Sequence, residues 1–181
     1  MLQLVIPATE KWDEIKEEFI YTKEYTLHLE HSLVSISKWE SKYHKPFLSN
    51  KEMTTKESID YIKCMTITQN IPPEAYDNIT NDNIQKVSEY MNDPMTATWF
   101  SEDKTNKKSS REIVTSELIY YWMITLNIPM EWEKRHFNRL LTLIQVCNIK
   151  NQKPKKMSKK ELANRNHALN AARRKQLHSK G

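Results

Sequence analysis

Leu118-Ile119-Tyr120-Tyr121-Trp122-Met123-Ile124-Thr125-Leu126 is the most apolar stretch of this chain, interrupted only by Thr125. A helix that is apolar all round is buried on most sides, so the stretch predicts a central helix. Asn127-Ile128-Pro129 breaks it, and Pro129 suits the first turn of a following helix, where its missing N–H costs nothing. That second helix places Phe137, Leu140, Leu141 and Ile144 on one face. Together the two predict a helical hairpin at the core of the fold.

Upstream, Leu2, Leu4 and Ile6 alternate with other residues and Pro7 follows, the pattern of a short strand. Thr9 is placed to cap a short helix running through Glu18. Phe19 to Glu30 reads as a strand, because Tyr25, Leu27 and Leu29 alternate with Thr26, His28 and Glu30. The period then changes to helical from Ser32 to Tyr43, with Leu33, Ile36 and Trp39 or Glu40 on one side, and Pro46 ends it. Thr54 and Glu57 form a capping box, each side chain satisfying the other's unpaired backbone donor, before a helix carrying Ile59, Ile62 and Met65. Thr80 caps another, with Ile84, Val87 and Tyr90 or Met91 inward. Met95–Phe100 and Arg111–Thr115 read as two strands of a β-hairpin whose polar tip is 101–110. The predicted fold class is mainly α with short β elements (α+β): a compact helical body with a β-hairpin and a basic C-terminal helical tail.

Charge divides the chain. Between Lys150 and Gly181 there are eleven Lys or Arg and one acid, Glu161, a net charge of +10. The whole chain of 181 residues carries +5, so residues 1–149 carry −5. The expected organisation is an acidic globular body, 1–149, followed by a basic linker and helix, 150–181. Ser158 and Glu161 form a second capping box, opening a helix that runs to about Gln176. Its apolar content is thin (Leu162, Leu169, Leu177 and alanines), and a helix of this kind is marginal without a surface to pack on. It is expected to be detached, frayed, or ordered on a partner.

Composition excludes several function classes. The single glycine, Gly181, leaves no phosphate-cradling loop, dinucleotide fingerprint or nucleophile elbow, and turns must use Asn, Asp, Pro and Ser. Five Trp, eight Tyr and four Phe argue for a real core despite an apolar fraction of only 38%. Cys64 and Cys147 lie in apolar helical patterns and read as free, buried thiols in a reducing compartment. No CxxC or HxxxH occurs; His28 and His31 point to opposite faces of a strand, so no metal site and no cofactor are expected. His44 stands at a helix end, where an imidazolium favours exposed carbonyls. Nothing beside Cys64 activates it, and no paired carboxylates stand out, so the chain reads as non-enzymatic. The amino-terminal segment lacks the basic start and length of a signal peptide, and no apolar run approaches the roughly 20 residues that span a bilayer. The reading is cytosolic.

The candidate binding residues follow from charge and aromaticity. Trp39 and Tyr43, four apart on one helix, either cap the core or anchor a partner. In the tail, Lys155, Lys156, Lys159, Lys160, Arg165, Arg173 and Arg174 flank a narrow stripe of Leu162 and Leu169, suited to protein docking. Nucleic acid is the alternative partner, bound through phosphates with strong salt dependence. The tail has no aromatic residue for stacking on single strands.

Three stretches taken together also carry a resemblance: Leu29-Glu30-His31-Ser32-Leu33-Val34-Ser35-Ile36-Ser37-Lys38-Trp39-Glu40-Ser41-Lys42, then Met95-Thr96-Ala97-Thr98, then Glu117-Leu118-Ile119-Tyr120-Tyr121-Trp122-Met123-Ile124 with Asn138-Arg139-Leu140-Leu141-Thr142-Leu143-Ile144. With the basic tail, they resemble virion-assembly proteins of tailed bacteriophages, most of all the tail assembly chaperone class. The resemblance implies a non-enzymatic helper in the host cytoplasm that binds the tape measure and tail tube proteins during tail morphogenesis and is absent from the mature virion. It brings no catalytic residues. A structural tail or baseplate component is the other reading within the same resemblance. The sorted charges further suggest self-association, acidic body to basic tail, which in open form would coat a long partner.

Overall fold

The computed structural model describes residues 1–14, 17–49, 53–100, 113–151 and 159–177, without the side chains of Lys11, Asp13 and Glu161. The chain divides into two units, Met1–Asn148 and Ile149–Gly181. The class is α+β, mostly helical, with two small antiparallel sheets among the described residues.

The first unit opens with β1 (Leu2–Ile6), which pairs with β4 (Tyr25–Leu29) in the register Leu2↔Leu29, Leu4↔Leu27 and Ile6↔Tyr25. The alternation read in the sequence does its work here: Leu4, Ile6, Leu27 and Leu29 are buried, while Gln3 and Val5 face outward. The free edge of β4 is closed by the chain after the second helix. Glu30 donates to the Met65 carbonyl (3.0 Å), Ile67 to that of His28 (2.8 Å), and the His28 amide to Thr68 Oγ1 (2.8 Å).

Between these strands lie β2 (Thr9–Asp13) and β3 (Glu18–Thr22), a second antiparallel pair, with Trp12 opposite Phe19 and Glu10 opposite Tyr21. This corrects two expectations. Thr9–Asp13 is a strand instead of the start of a helix, Glu18 begins the next strand, and Phe19–Glu30 falls in two strands instead of one. Among the described residues, β2 and β3 supply a hairpin pair here. Met95–Phe100 and 113–115 form no strand, and the expected tip at 101–110 lies outside the described residues.

Helix α1 (Leu33–Tyr43) is the centre of the first unit, packing on α2 (Thr55–Met65), on α4 (Ser116–Thr125) and on the short 3-10 turns Phe47–Ser49 and Met130–Lys134. Ser32 caps it, its hydroxyl accepting from the Ser35 amide (3.3 Å). Leu33, Ile36 and Trp39 are completely buried. Glu40, also buried, acts as a staple: one carboxylate oxygen accepts from the Phe47 amide and the other from the Ser116 amide, both at 2.8 Å. Thr115 offers α4 no side-chain cap, so Glu40 from another helix satisfies the first donor of α4.

The capping boxes at Thr54–Glu57 and Thr80–Asn83 both form, opening α2 and α3 (Asn81–Asn92). Asn83 also reaches the Val5 carbonyl (3.1 Å), tying α3 to β1. The predicted central helical hairpin does not dominate. A 3-10 turn separates α4 from α5 (Phe137–Asn151), and α5 starts at a bridge between His136 and Ser32, where Phe137 donates to the His31 carbonyl (2.7 Å). Ile119 and Met123 of α4 and Phe137, Leu140 and Ile144 of α5 enter the common core, whereas Tyr121 and Ile124 of α4 are exposed. With no glycine in the body, left-handed backbone falls on Glu17, His44, Asn70, Met95 and Asn127. Asn tolerates it, while Glu, His and Met carry its steric cost.

The second unit contains α6 (Lys159–Gln176), whose described side chains are all exposed. The capping box expected at Ser158 falls partly outside the described residues.

Candidate functional site

Of the two aromatic candidates on α1, Trp39 is fully buried; its ring packs on Phe47 and Tyr43, and its indole N–H donates to the Glu57 carbonyl (3.2 Å). Trp39 is a core residue and presents nothing to a partner, which corrects the anchor reading. Tyr43 is half-buried and donates its hydroxyl to Asp60 (2.6 Å), a bond that lifts its pKa to about 12. Around it stands a charged cluster. Lys42 also pairs with Asp60, and Lys63 is 3.5 Å from the same carboxylate. Burial pushes Asp60 up, but the hydrogen bonds from Lys42 and Tyr43 outweigh it and the pKa is lowered. Glu57 accepts from Lys45 (2.7 Å) and from the Thr54 amide (2.9 Å), and these hold its carboxyl at about 2. The cluster fastens α1 to α2, with every carboxylate committed to a partner.

A second polar group is buried where α1 and α5 begin. His31 Nδ1 shares a hydrogen bond with Tyr61 (2.6 Å), and its ring lies 5.3 Å from that of His136. His136 Nε2 bonds the Tyr90 carbonyl (3.1 Å), and its Nδ1 is buried with no hydrogen-bond partner among the described residues. Burial, then the neighbouring His136, lowers the His31 pKa to about 3; burial likewise lowers that of His136. Both rings are neutral near pH 7 and closed off from solvent. Cys64 and Cys147 are free thiols, half-buried where the sequence suggested full burial. Burial raises the Cys64 pKa against the opposing pull of Lys38 and Lys42, which disfavours the nucleophilic thiolate. No group of three or more His, Cys, Asp or Glu suited to a metal ion occurs among the described residues.

The tail residues lie as follows. Lys159, Lys160, Leu162, Arg165, Leu169, Arg173 and Arg174 are all on α6 and all exposed. Lys155 and Lys156 lie outside the described residues. At 3.6 residues per turn, Leu162, Leu169 and Arg173 share one stripe, while the basic residues as a set are distributed round the whole helix. Leu162 and Leu169 remain about half exposed, at 48% and 46%. The helix thus offers an apolar line inside a cationic sheath.

Sequence reasoning missed a second surface. On one face of the β2–β3 hairpin, Trp12 and Phe19 meet edge to face (4.9 Å between centroids), with Tyr21 beside Phe19 at 6.4 Å. All three are exposed, Tyr21 by 71%. Glu10 shares the face and accepts a hydrogen bond from the Tyr21 hydroxyl, which raises the tyrosine's pKa. The face with Trp12, Phe19 and Tyr21 is exposed, so no inside–outside alternation marked the pair in the sequence, and its many charges imitated a helix. The pairing of Trp12 with Phe19 across a polar turn was the signal available.

No helix among the described residues is long and apolar enough to cross a membrane. Comparison with protein-family models, with curated proteins and with solved structures gave no match.

Proposed function

We propose that this chain is a non-enzymatic binding protein that assists assembly, acting in the host cytoplasm as a bacteriophage tail assembly chaperone on the tape measure and tail tube proteins. The observation that carries the reading is the division of the chain into a packed acidic body and a basic helix. A helper that holds a client briefly benefits from a stable frame and a binding element whose ordering cost is met on contact. The resembling stretches supply the client class. Leu33, Ile36, Trp39, Ile119, Met123, Leu140 and Ile144, which they contain, are buried in the body, whereas Met95, Tyr121 and Ile124 are exposed. The tail supplies the contact chemistry.

The test is quantitative mass spectrometry of the protein in infected-cell lysate and in purified virions, with a tag to recover partners. Abundance in lysate, absence from virions and recovery of a very long helical tail protein are the expected results. A fixed copy number per virion would make it a structural tail or baseplate component. The distribution of basic residues round the full circumference of α6 favours one further reading, docking into a polyanionic groove. Retention on DNA or RNA that falls steeply with salt and disappears with residues 150–181 is its signature.

A further inference from the structure

We propose that the Trp12–Phe19–Tyr21 face of the β2–β3 hairpin is a receptor for helix α6 of a second copy of this chain. The hairpin is an unusual surface. Two strands alone are marginally stable in water, yet this pair leaves three aromatic rings on one open face with a carboxylate among them. Exposed, contiguous apolar surface rimmed by charge marks an interaction site. Residues 9–24 contain six acids and three lysines, a net charge of −3. The partner should therefore be cationic and carry some apolar surface.

Helix α6 meets that description. Residues 159–176 carry net +5, and Leu162, Leu169 and Arg173 line one stripe. The spacings also agree. On the hairpin, the Trp12–Phe19 pair and the Glu10–Tyr21 pair are two residues apart along the strands, about 7 Å. On the helix, Leu169 and Arg173 are four residues apart, about 6 Å along the axis. With Leu169 on the Trp12–Phe19 pair, Arg173 arrives over the Tyr21 ring beside the Glu10 carboxylate. A guanidinium there gains both a charge-assisted hydrogen bond and the ring face. Each chain has one of each surface, and so copies can join head to tail. This association stands whether or not the client is a tail protein.

The experiment uses full-length chains in sedimentation velocity, over a range of concentrations, in low salt and in about 1 M salt, where the Debye length falls to about 3 Å. The wild type should associate in low salt and dissociate in high salt. Trp12→Ser/Phe19→Ser and Leu169→Asn/Arg173→Glu should each weaken association at least tenfold. Mixed, these two variants should form a heterodimer and stop there, because one intact hairpin and one intact tail remain per pair. Glu10→Lys and Arg173→Glu, each weak alone, should likewise recover association when mixed, which keeps the test open if a double variant misfolds. A wild type that stays monomeric at all concentrations overturns the proposal, as does unchanged association of the hairpin variants. A monomer cross-linked between hairpin and tail at high dilution would assign the surface to the chain's own helix. Assembly abolished by nuclease would assign the tail to nucleic acid. Either result also overturns the proposal.

Discussion

Glu40 shows how one side chain can join distant parts of a chain. Its carboxylate answers two backbone donors, at Phe47 and at Ser116, that have no other partner in their own turns. Glu40→Ala leaves both donors buried and unpaired, and should cost about 2–4 kcal/mol, read as a lowered urea midpoint. A loss below ~0.5 kcal/mol would mean that water replaces the carboxylate. His31 makes a different prediction. Its folded pKa, about 3, lies below the roughly 6.5 of an exposed histidine. As pH falls, the unfolded chain takes up the proton first, so the stability of the buried neutral ring is complete above pH ~6.5 and declines as pH falls towards 3. His136 adds in the same direction. Urea unfolding at pH 7.5, 6 and 5 should show the decline, and His31→Gln, which still can accept from Tyr61, should flatten it. A wild-type profile flat over that range would remove His31 from the account.

At the scale of elements, helix starts are where local chemistry speaks most clearly. Thr54 and Thr80 each satisfy a backbone donor at 3.2–3.3 Å and are answered by Glu57 and Asn83. Thr54→Ala and Thr80→Ala should each cost about 1 kcal/mol, and the double variant should approach their sum because the caps share no partner. Denaturant curves of the three variants decide this. The hairpin behaves oppositely. Because Trp12 and Phe19 are 51% and 53% exposed, Trp12→Ser/Phe19→Ser should move the thermal midpoint of the body by less than about 3 °C. A larger drop would show that the hairpin contributes to the core, contrary to the exposure of its aromatic face.

For the molecule as a whole, the governing fact is the sorting of charge. A body of −5 and a tail of +10 attract at long range in low salt and lose that attraction as ions screen them. Any tail-mediated binding, to protein or to polyanion, should therefore weaken steeply between low and high salt, and a titration with salt is the direct check. Deleting residues 150–181 should abolish self-association at low salt while changing the unfolding free energy of the body by no more than about 0.5 kcal/mol. Unchanged oligomerisation would remove the tail from the interface.

Much of this fold was legible in residue order alone. The β1 and β4 alternation, Ser32 with the period of α1, the Thr54–Glu57 capping box, the Thr80 cap and the stripe of α5 are all set by neighbours within a turn or two, so local reading found them; that Asn83 answers Thr80 was not read. The strongest apolar stretch misled, because apolarity reports a tendency to be covered and says nothing of which surface does the covering. Tyr121 and Ile124 stayed exposed while α1 took the centre. Glycine's absence predicted Asn in turns, as at Asn70 and Asn127, but not His44, whose amide donates to the Glu40 carbonyl, or Met95, whose amide donates to Asp93. The sequence by itself determined the class of fold, the helix starts at Thr54 and Thr80 and the division of charge, since these depend on spacing and composition. Tertiary structure alone decided that Trp39 is core, that Glu40 caps a helix 76 residues away, and that Trp12, Phe19, Tyr21 and Glu10 share an open face. Those outcomes depend on which distant groups become neighbours, and no local period records that.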